Sequence, residues 1–258
     1  YAGAPVVAVT ADTYDQARAA AAKVVVEYEE LTPVLDIEDA LEREQYTYPP
    51  QIMTYGDPDA SIAAAPRRIK GELRCGGQDH FYLESNIALA VPRDDGDLDI
   101  YSSTQHPSEA QHMVAHVLGV AAHAVTVKLR RMGGGFGGKE TQMNIFCAVA
   151  AIAAKRWNRP VKLRPDRDDD MRATGKRHDF IVDYDVGFDP TGRIQAVDAV
   201  LAARCGYSAD LSGPVTDRAL FHTDNGYFYP NVRLRSQPIK TNSVSNTAFR
   251  GFGGPQGV

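Results

Sequence analysis

The feature that most constrains this 258-residue chain is a glycine-rich stretch near its middle, residues 131–140. Five glycines and one phenylalanine fill positions 133 to 138, with an apolar alternating run before them and a helical pattern after them. Glycine tolerates positive φ and lets another molecule approach the backbone closely. A loop of this kind ahead of a helix offers several N–H groups to an anion, so the pattern predicts a binding loop. We call it the first glycine loop.

Two phosphate-binding motifs fit this loop in part. The spacing from Gly133 to Gly138 matches the dinucleotide fingerprint, and the flanking patterns predict a strand over 124–132 and a helix over 140–157. The same residues match a P-loop except at its end, where Glu140 stands in place of the Ser or Thr that would reach Mg²⁺. The residues alone therefore leave open an NAD(P)-dependent oxidoreductase that uses this loop, and also a turn with no ligand.

Three further segments bear on the choice. A second glycine loop lies at residues 248–256, Ser103-Thr104-Gln105 precedes a predicted helix, and residues 76–84 read Gly-Gly-Gln-Asp-His-Phe-Tyr-Leu-Glu. The four segments, in this order over essentially the whole chain, resemble the molybdenum hydroxylases, the family of the xanthine oxidases and aldehyde oxidases. Within that family the pattern is most similar to the xanthine dehydrogenases.

The resemblance implies a fold and a domain order. The expected class is α+β, a mixed α/β chain in which the end of a small hammerhead-type domain precedes the first molybdopterin-binding domain. Residues 1–55 are predicted as the hammerhead-like part, 56–68 as a linker, and 69–258 as the first molybdopterin-binding domain, truncated before the second. The chain starts without Met and stops just after a glycine-rich loop, so we expect it to be part of a longer protein.

Local patterns predict the individual elements, separated by turn-forming residues. Residues 164–177 carry four Asp and five Lys or Arg, and we expect them to form a solvated loop. The predicted strands are 5–9, 87–91, 98–102, 180–188 and 194–203, and the predicted helices are 13–29, 37–44 and a helix from Pro107 to about Gly119.

Composition excludes several classes of function. A net charge of −5 argues against a nucleic-acid binder, which needs a basic surface. No apolar run reaches the roughly 20 residues that span a membrane, and no signal peptide is evident. The three cysteines, Cys75, Cys147 and Cys205, are widely spaced and are expected to be reduced thiols of a cytoplasmic protein. His112 and His116 are spaced for one metal ion but lack a third ligand, so they are predicted to be surface residues.

The resemblance assigns a set of residues to the cofactor. It implies that Gln105, Gly135, Phe136, Gly137 and Arg250 contact molybdopterin, with Gln105, Phe136 and Arg250 in the outer shell of the molybdenum. The neutral amide of Gln105 can donate to an oxo ligand of the metal without becoming a ligand itself. Taken alone, a glutamine there is equally compatible with an ordinary helix-entry amide.

Three residues are assigned to a purine substrate in the same way. Glu140 is predicted to lie in the first turn of a helix, ionised and able to accept a hydrogen bond from a ring N–H. Arg218 is expected to pair with a ring carbonyl and stabilise the charge that develops there, and Phe252 to pack against the flat ring. From the residues alone, helix-start electrostatics for Glu140 and a salt bridge of Arg218 with Asp217 or Asp224 stay open.

The Glu140 and Arg218 pair favours a purine over larger aldehydes. The resemblance therefore implies oxidation of hypoxanthine and xanthine to urate with water as the oxygen source. It also implies 2Fe-2S clusters and FAD on partner subunits or domains, together with the remainder of the molybdenum domain. The family's general-base glutamate belongs to a motif that these residues do not include. We expect the isolated chain to be inactive, and a non-catalytic cofactor-binding module is the second alternative.

Overall fold

The computed structural model describes residues 1–258, and the chain divides into two compact units. Unit 1 consists of Tyr1–Pro33 and Phe81–Thr174, and unit 2 consists of Val34–His80 and Gly175–Val258. Each unit therefore draws on two segments that are distant in the chain. The first glycine loop belongs to unit 1 and the second glycine loop belongs to unit 2.

Both units combine helices with sheets, so the expected α+β class is confirmed. None of the helices has the length and apolar character that crossing a bilayer requires. The strands are β1 (Gln51–Tyr55), β2 (Arg67–Cys75), β3 (Ala88–Pro92), β4 (Leu98–Ser102), β5 (Val125–Lys128), β6 (Val161–Leu163), β7 (Phe180–Phe188), β8 (Ile194–Gly206) and β9 (Val232–Lys240). The helices are α1 (Tyr14–Ala21), α2 (Ile37–Glu42), α3 (Pro58–Ala64), α4 (Pro107–Leu118), α5 (Met143–Trp157), α6 (Arg167–Ala173), α7 (Ser212–Phe221) and α8 (Gly254–Gly257).

Unit 1 is built on a four-stranded sheet in the order β5-β4-β3-β6, in which β4 runs antiparallel to β3 and parallel to β5. Helices α4 and α5 share a core with this sheet. Helix α5 buries small side chains spaced three or four residues apart, which lets its backbone lie close to β3. The buried residues of α5 are Met143, Cys147, Ala150, Ala151, Ala153 and Ala154. The first glycine loop connects β5 to α5.

Unit 2 is built on a five-stranded sheet in the order β1-β9-β8-β7-β2. The β7–β8 pair is a long antiparallel hairpin closed at Asp189, whose carbonyl accepts from Gly192 N at 3.1 Å. Helix α7 packs on β8 and β9 and carries Arg218 in its last turn, and α8 packs against α7. This packing holds the second glycine loop, whose last residues belong to α8.

Several predicted elements differ from the structure at the N-terminal side. No strand forms at residues 5–9, because β structure needs a hydrogen-bonded neighbour and no strand pairs with these residues. Helix α1 is capped by Thr13 as predicted, but it ends at Ala21 and buries no residue. The range 56–68, predicted as a linker, holds α3 and the start of β2. The domain boundaries themselves stay a prediction.

The charged segment 164–177 was expected to be a solvated loop, and this expectation is wrong. It contains α6, and the Asp170 side chain is buried, with 1% exposure. Its carboxylate accepts from the Tyr82 hydroxyl at 2.9 Å and from the backbone and side-chain amides of Asn86 at 2.8 Å each. These donors replace water around the charge, which is why an acidic residue is stable in the core of unit 1.

Candidate functional site

The first glycine loop adopts a strained turn ahead of α5. Gly134, Phe136 and Gly137 have φ of 99°, 54° and 100°, all in the left-handed region. For a phenylalanine this conformation costs on the order of 1 kcal/mol, and strain of this kind is concentrated at binding sites. Phe136 is 45% exposed, so burial of this residue does not account for the strain.

Gln105 is fixed against this loop from the junction between β4 and α4, as predicted. Its side-chain Oε1 accepts from Gly137 N at 2.9 Å and from Lys139 N at 3.2 Å, and its own N–H donates to the Lys139 carbonyl at 2.8 Å. Only an oxygen can accept two N–H bonds, so the orientation of the amide is determined. The Nε2 donor makes no hydrogen bond within the chain, and it is the end of the side chain that a ligand oxygen can use.

Gly135 makes this arrangement possible. A Cβ built on Gly135 would lie 2.5 Å from Gln105 Oε1 and 2.8 Å from Gln105 Cδ. Any side chain at this position would push the amide away from the loop. The glycine is therefore required for the close contact with Gln105, in addition to any ligand.

Glu140 does not lie in the first turn of a helix, so that expectation is wrong. Turns continue from Phe136 through Lys139, and α5 begins only at Met143, with Gln142 at its N-cap. The physical reason is the Gly135-Phe136-Gly137 turn, whose Gly137 carbonyl accepts from Glu140 N at 3.4 Å. Glu140 is half-buried at the end of the loop.

Sequence reasoning missed Lys139, which has the largest fully buried side chain in the chain. Its ammonium donates to the Glu84 carbonyl and to the Ser103 hydroxyl, each at 2.7 Å. A P-loop lysine must reach phosphate, so this geometry rejects the P-loop interpretation. The dinucleotide interpretation also loses support, because the fingerprint requires a helix to open at the last glycine and α5 opens five residues after Gly138.

The second glycine loop has a similar backbone. Gly251, Phe252 and Gly253 have φ of 97°, 48° and 88°. The Gly251 carbonyl accepts from Gly254 N at 3.0 Å, and α8 follows immediately. Phe252 is half-buried and Arg250 is exposed. The loop again holds a phenylalanine in a conformation that favours glycine.

Arg177 supports this second loop, and sequence reasoning placed it in a solvated segment. It is 9% exposed, and its Nη2 donates to the Arg250 carbonyl at 2.9 Å. The guanidinium lies over the Phe249 ring, 3.8 Å from the centroid, and His80 stacks on Phe249 at 4.6 Å. His80 Nε2 is 2.7 Å from the Ala248 carbonyl, so this nitrogen carries the proton. Burial lowers the pKa of His80 and keeps the ring neutral.

Arg218 is available for a ligand in unit 2. It is exposed and makes no salt bridge, so the expected alternative of a pair with Asp217 or Asp224 is not observed. A Cβ on Gly254 would lie 3.9 Å from Arg218 Nε, which places the side chain beside the end of the second glycine loop. The Arg218 carbonyl accepts from His222 N and Nδ1, and these bonds stabilise the end of α7.

The predicted site residues thus form two groups. Unit 1 brings together Gln105, Gly135, Phe136 and Gly137, with Glu140 at the end of the same loop. Unit 2 holds Arg218, Arg250 and Phe252 around the second glycine loop.

No group of three or more His, Cys, Asp or Glu side chains is placed to hold a metal ion directly. The three cysteines are free, as expected.

Comparisons with known proteins agree with these features. The profile of the family described as "Molybdopterin cofactor-binding domain" matches residues 42–258. The chain is 44% identical over 258 residues to the xanthine dehydrogenase of Emericella nidulans and 48% identical over 254 residues to that of Drosophila pseudoobscura pseudoobscura. These matches cover 100% and 97% of this chain but 19% of each relative, so the chain spans about a fifth of their length.

A solved structure shows the same fold. The aldehyde oxidoreductase from Desulfovibrio gigas superposes with a TM-score of 0.87 at 29% identity, over 95% of this chain and 28% of that protein.

Proposed function

The chain belongs to the molybdopterin cofactor-binding domain family, and from this premise we propose that it is the molybdenum-cofactor part of a purine hydroxylase. The reaction we propose is the oxidation of hypoxanthine and xanthine to urate with water as the oxygen source. The expected resemblance to molybdenum hydroxylases and the expected molybdopterin cofactor are confirmed at the level of the family. The substrate, the site residues and the partners belong to the proposal.

The residues of this chain fit the cofactor. A metal held by a pterin needs few protein ligands, and it needs hydrogen-bond donors around its oxygen atoms and backbone that can approach closely. Gln105 offers an Nε2 donor that has no partner in the chain, and Gly135, which has no Cβ, lets this amide lie against the loop. Phe136 and Arg250 stand in the two glycine loops as proposed outer-shell contacts. When bound, the cofactor supplies the redox chemistry and the oxygen transfer.

The observation that carries the proposal is the orientation of the Gln105 amide. Two loop amides hold Oε1, so Nε2 can only point away from Gly137 and Lys139. A neutral amide held in one orientation stabilises an oxygen ligand without the reorganisation that a mobile side chain requires. The contact joins residues 32 positions apart in the chain, so it differs from the local contact of a helix-entry glutamine.

The proposed substrate residues supply complementary charge. The exposed guanidinium of Arg218 has no carboxylate partner, so its charge is available to a ring carbonyl and to the negative charge that develops on the ring. Glu140 is proposed to accept a ring N–H, and Phe252 to pack on the ring face. Neither Arg218 nor Glu140 is assigned the role of general base, for which we propose a glutamate outside these residues. The 258 residues by themselves are proposed to be inactive.

The proposed partners follow from the electron balance of the reaction. Oxidation of a purine releases electrons that must leave the site before the next turnover, and we propose that iron–sulfur and FAD subunits or domains receive them. The remainder of the molybdenum domain is proposed as a further partner. The proposed location is the cytoplasm, which is compatible with three free cysteines.

The experiment compares Arg218→Met with Arg193→Met in the assembled enzyme, with xanthine and with a small aldehyde as substrates. Arg193 is an exposed arginine in the β7–β8 turn and serves as the matched control. We expect Arg218→Met to lower kcat/KM for xanthine by roughly 100-fold or more, and to change the value for the aldehyde by less than about threefold. An unchanged ratio of the two values would reject the role of Arg218 and the purine assignment that rests on it.

A further inference from the structure

The Lys139 ammonium is a buried charge held by neutral groups. Its side chain has no solvent exposure, and it donates to the Glu84 carbonyl and to the Ser103 hydroxyl at 2.7 Å each. The Lys139 Nζ also lies over the Tyr82 ring, 4.5 Å from the ring centroid. The one carboxylate oxygen within salt-bridge distance, on Glu84, is 3.8 Å away. Burial of an ammonium in this way costs several kcal/mol, which an apolar side chain would avoid.

Glu84 closes the opposite end of the same loop. Its backbone N–H donates to the Gly133 carbonyl at 3.2 Å, and its carboxylate Oε2 accepts from Gly133 N at 2.7 Å. Its own carbonyl accepts from the Lys139 ammonium. Glu84 therefore joins the first and the last residue of the turn that contains Phe136, and the loop cannot open without loss of these bonds.

Lys139 also contacts each residue of the 103–105 segment. Its ammonium donates to Ser103, its carbonyl accepts from the Thr104 hydroxyl at 3.3 Å and from Gln105 N at 2.8 Å, and its N–H donates to Gln105 Oε1 at 3.2 Å. A shift of the Lys139 side chain is therefore transmitted to Gln105 through two routes, the Ser103 hydroxyl and the Lys139 backbone.

The segment that carries Glu84 is itself rigid. Tyr82 and Asn86 lie two residues on either side of Glu84, and both donate to the buried Asp170 carboxylate. Asn86 Nδ2 also donates to the Tyr82 hydroxyl at 2.8 Å. The Glu84 carbonyl, which accepts from the Lys139 ammonium, is therefore held in place by its own segment.

We propose that Lys139 and Glu84 form a clamp that positions the Gln105 amide, and with it the cofactor oxygen that this amide contacts. Lys139 is a positioning residue, since its hydrogens are directed to protein groups and its side chain cannot reach a substrate. This inference deepens the proposed function and rests on it for the identity of the ligand. The geometry of the clamp itself belongs to the chain alone.

The test uses Lys139→Met, which keeps the length of the side chain and removes the charge. Lys128→Met is the matched control, because Lys128 also lies in unit 1, bonds the Asp99 carboxylate at 2.7 Å and lies 5.3 Å from the Tyr101 ring centroid. Ser103→Ala is a milder second variant that removes only the hydroxyl acceptor. If Lys139→Met does not fold, Ser103→Ala tests whether the Lys139 ammonium positions Gln105.

The first readout is hydrogen exchange of the purified assembled enzyme in its cofactor-free form. We expect Lys139→Met to speed the exchange of the Gly137 and Lys139 amides by about tenfold or more, since these amides are held by Gln105 Oε1. Lys128→Met should leave their exchange unchanged. This readout does not depend on the substrate or the cofactor.

The second readout is steady-state oxidation of xanthine by the assembled enzyme. We expect Lys139→Met to lower kcat by about tenfold or more while KM changes by less than about threefold, because the variant misplaces a group that acts on the reacting centre. In a double-mutant cycle with Gln105→Ala, the second substitution should add little to the first. If the substitution only reduced the yield of folded enzyme, kcat per folded active site would not change, and the double-mutant cycle would show no coupling with Gln105→Ala.

The outcomes separate the two proposals. Unchanged exchange and unchanged kcat in both Lys139→Met and Ser103→Ala, or effects strictly multiplicative with Gln105→Ala, would overturn the clamp. A wild-type enzyme that holds no molybdenum and oxidises no xanthine would instead overturn the proposed function, while the exchange measurement still decides whether the clamp exists.

Discussion

The two glycine loops share a backbone conformation but differ in what surrounds them. In each, a phenylalanine at positive φ stands between glycines, and a buried cation lies over an aromatic ring and donates to a backbone carbonyl. The cation is Lys139 in the first loop and Arg177 in the second. Gly134 and Gly135 in the first loop lie against side chains, whereas Gly253 in the second lies against the backbone of α7.

The difference separates two roles for glycine. Gly135 makes room for the far end of Gln105, a side chain that can rotate away, so a change there affects the site more than the fold. Gly253 makes room for the Val215 carbonyl and the Ala219 amide, which are fixed within a helix. Gly135 therefore matters mainly for the orientation of the Gln105 amide, and Gly253 matters mainly for the stability of the packing against α7.

The largest effect that tests this difference is expected for Gly253→Ala. Its Cβ would collide with the Val215 carbonyl oxygen, and its φ of 88° is unfavourable for alanine. We expect the free energy of unfolding to fall by about 3 kcal/mol or more, measured by urea unfolding of the chain. Gly254→Ala is the control, because its Cβ would meet only Arg218 Nε at 3.9 Å, and it should cost less than about 1 kcal/mol. Equal losses in both variants would contradict the steric explanation.

Gly135→Ala should have the opposite profile. The Cβ would displace the end of Gln105, which can rotate but then loses two hydrogen bonds from the loop, so we expect the free energy of unfolding to fall by about 1 to 2 kcal/mol, less than for Gly253→Ala. Xanthine turnover by the assembled enzyme should fall by roughly 10-fold to 100-fold, because the amide loses its orientation. Gly76→Ala, with nothing within 4 Å of the added Cβ, is the control and should retain turnover. Full activity of Gly135→Ala would show that the contact with Gln105 is dispensable.

The two buried cations should differ in their response to pH. Burial lowers the pKa of Lys139 to about 8, below its ordinary value of 10.5 in the unfolded chain, so the unfolded chain holds this proton more tightly. The free energy of unfolding should therefore rise from pH 8 towards pH 10.5, by roughly 1 to 2 kcal/mol between pH 8 and pH 9.5. Urea unfolding across this range should show the rise in the wild type and lose it in Lys139→Met.

The matched substitution in the second loop is Arg177→Met. An arginine keeps its proton throughout the range, so this variant should retain the rise that the wild type shows. A rise that persists in Lys139→Met would assign it to another group.

The smallest expected effect tests the feature that the two loops share. Because Phe136 and Phe252 both adopt positive φ, replacement by glycine should give a chain more stable than replacement by alanine, by about 1 kcal/mol at either position. The comparison of glycine with alanine removes the contribution of the lost ring. Equal melting temperatures for the glycine and alanine variants at one position would show that positive φ causes no backbone strain at that position.

The sequence predicted elements best where the pattern is local. Strand β4 and the β7–β8 hairpin follow from alternation and from turn residues, and Gly119 ends α4 with φ of 66° as expected. The position of Gln105 between a strand and a helix could also be predicted, because the helix start at Pro107 is a local signal. The two glycine loops were identified for the same reason.

The supports of the loops could not be predicted in this way. Lys139, Asp170 and Arg177 are charged, and charged residues are usually exposed. Their partners lie far along the chain, as Glu84 does for Lys139 and Arg250 for Arg177. Only the folded chain brings these donors and acceptors together, and no periodicity in the sequence reports it.

The most direct test of the central proposal, that this chain is the molybdenum-cofactor part of a larger enzyme, is the molybdenum and pterin content of the purified assembled enzyme. About one molybdenum atom and one pterin per chain are expected, since each chain carries one copy of each loop. A protein that contains no molybdenum and instead retains a nicotinamide dinucleotide would contradict the account.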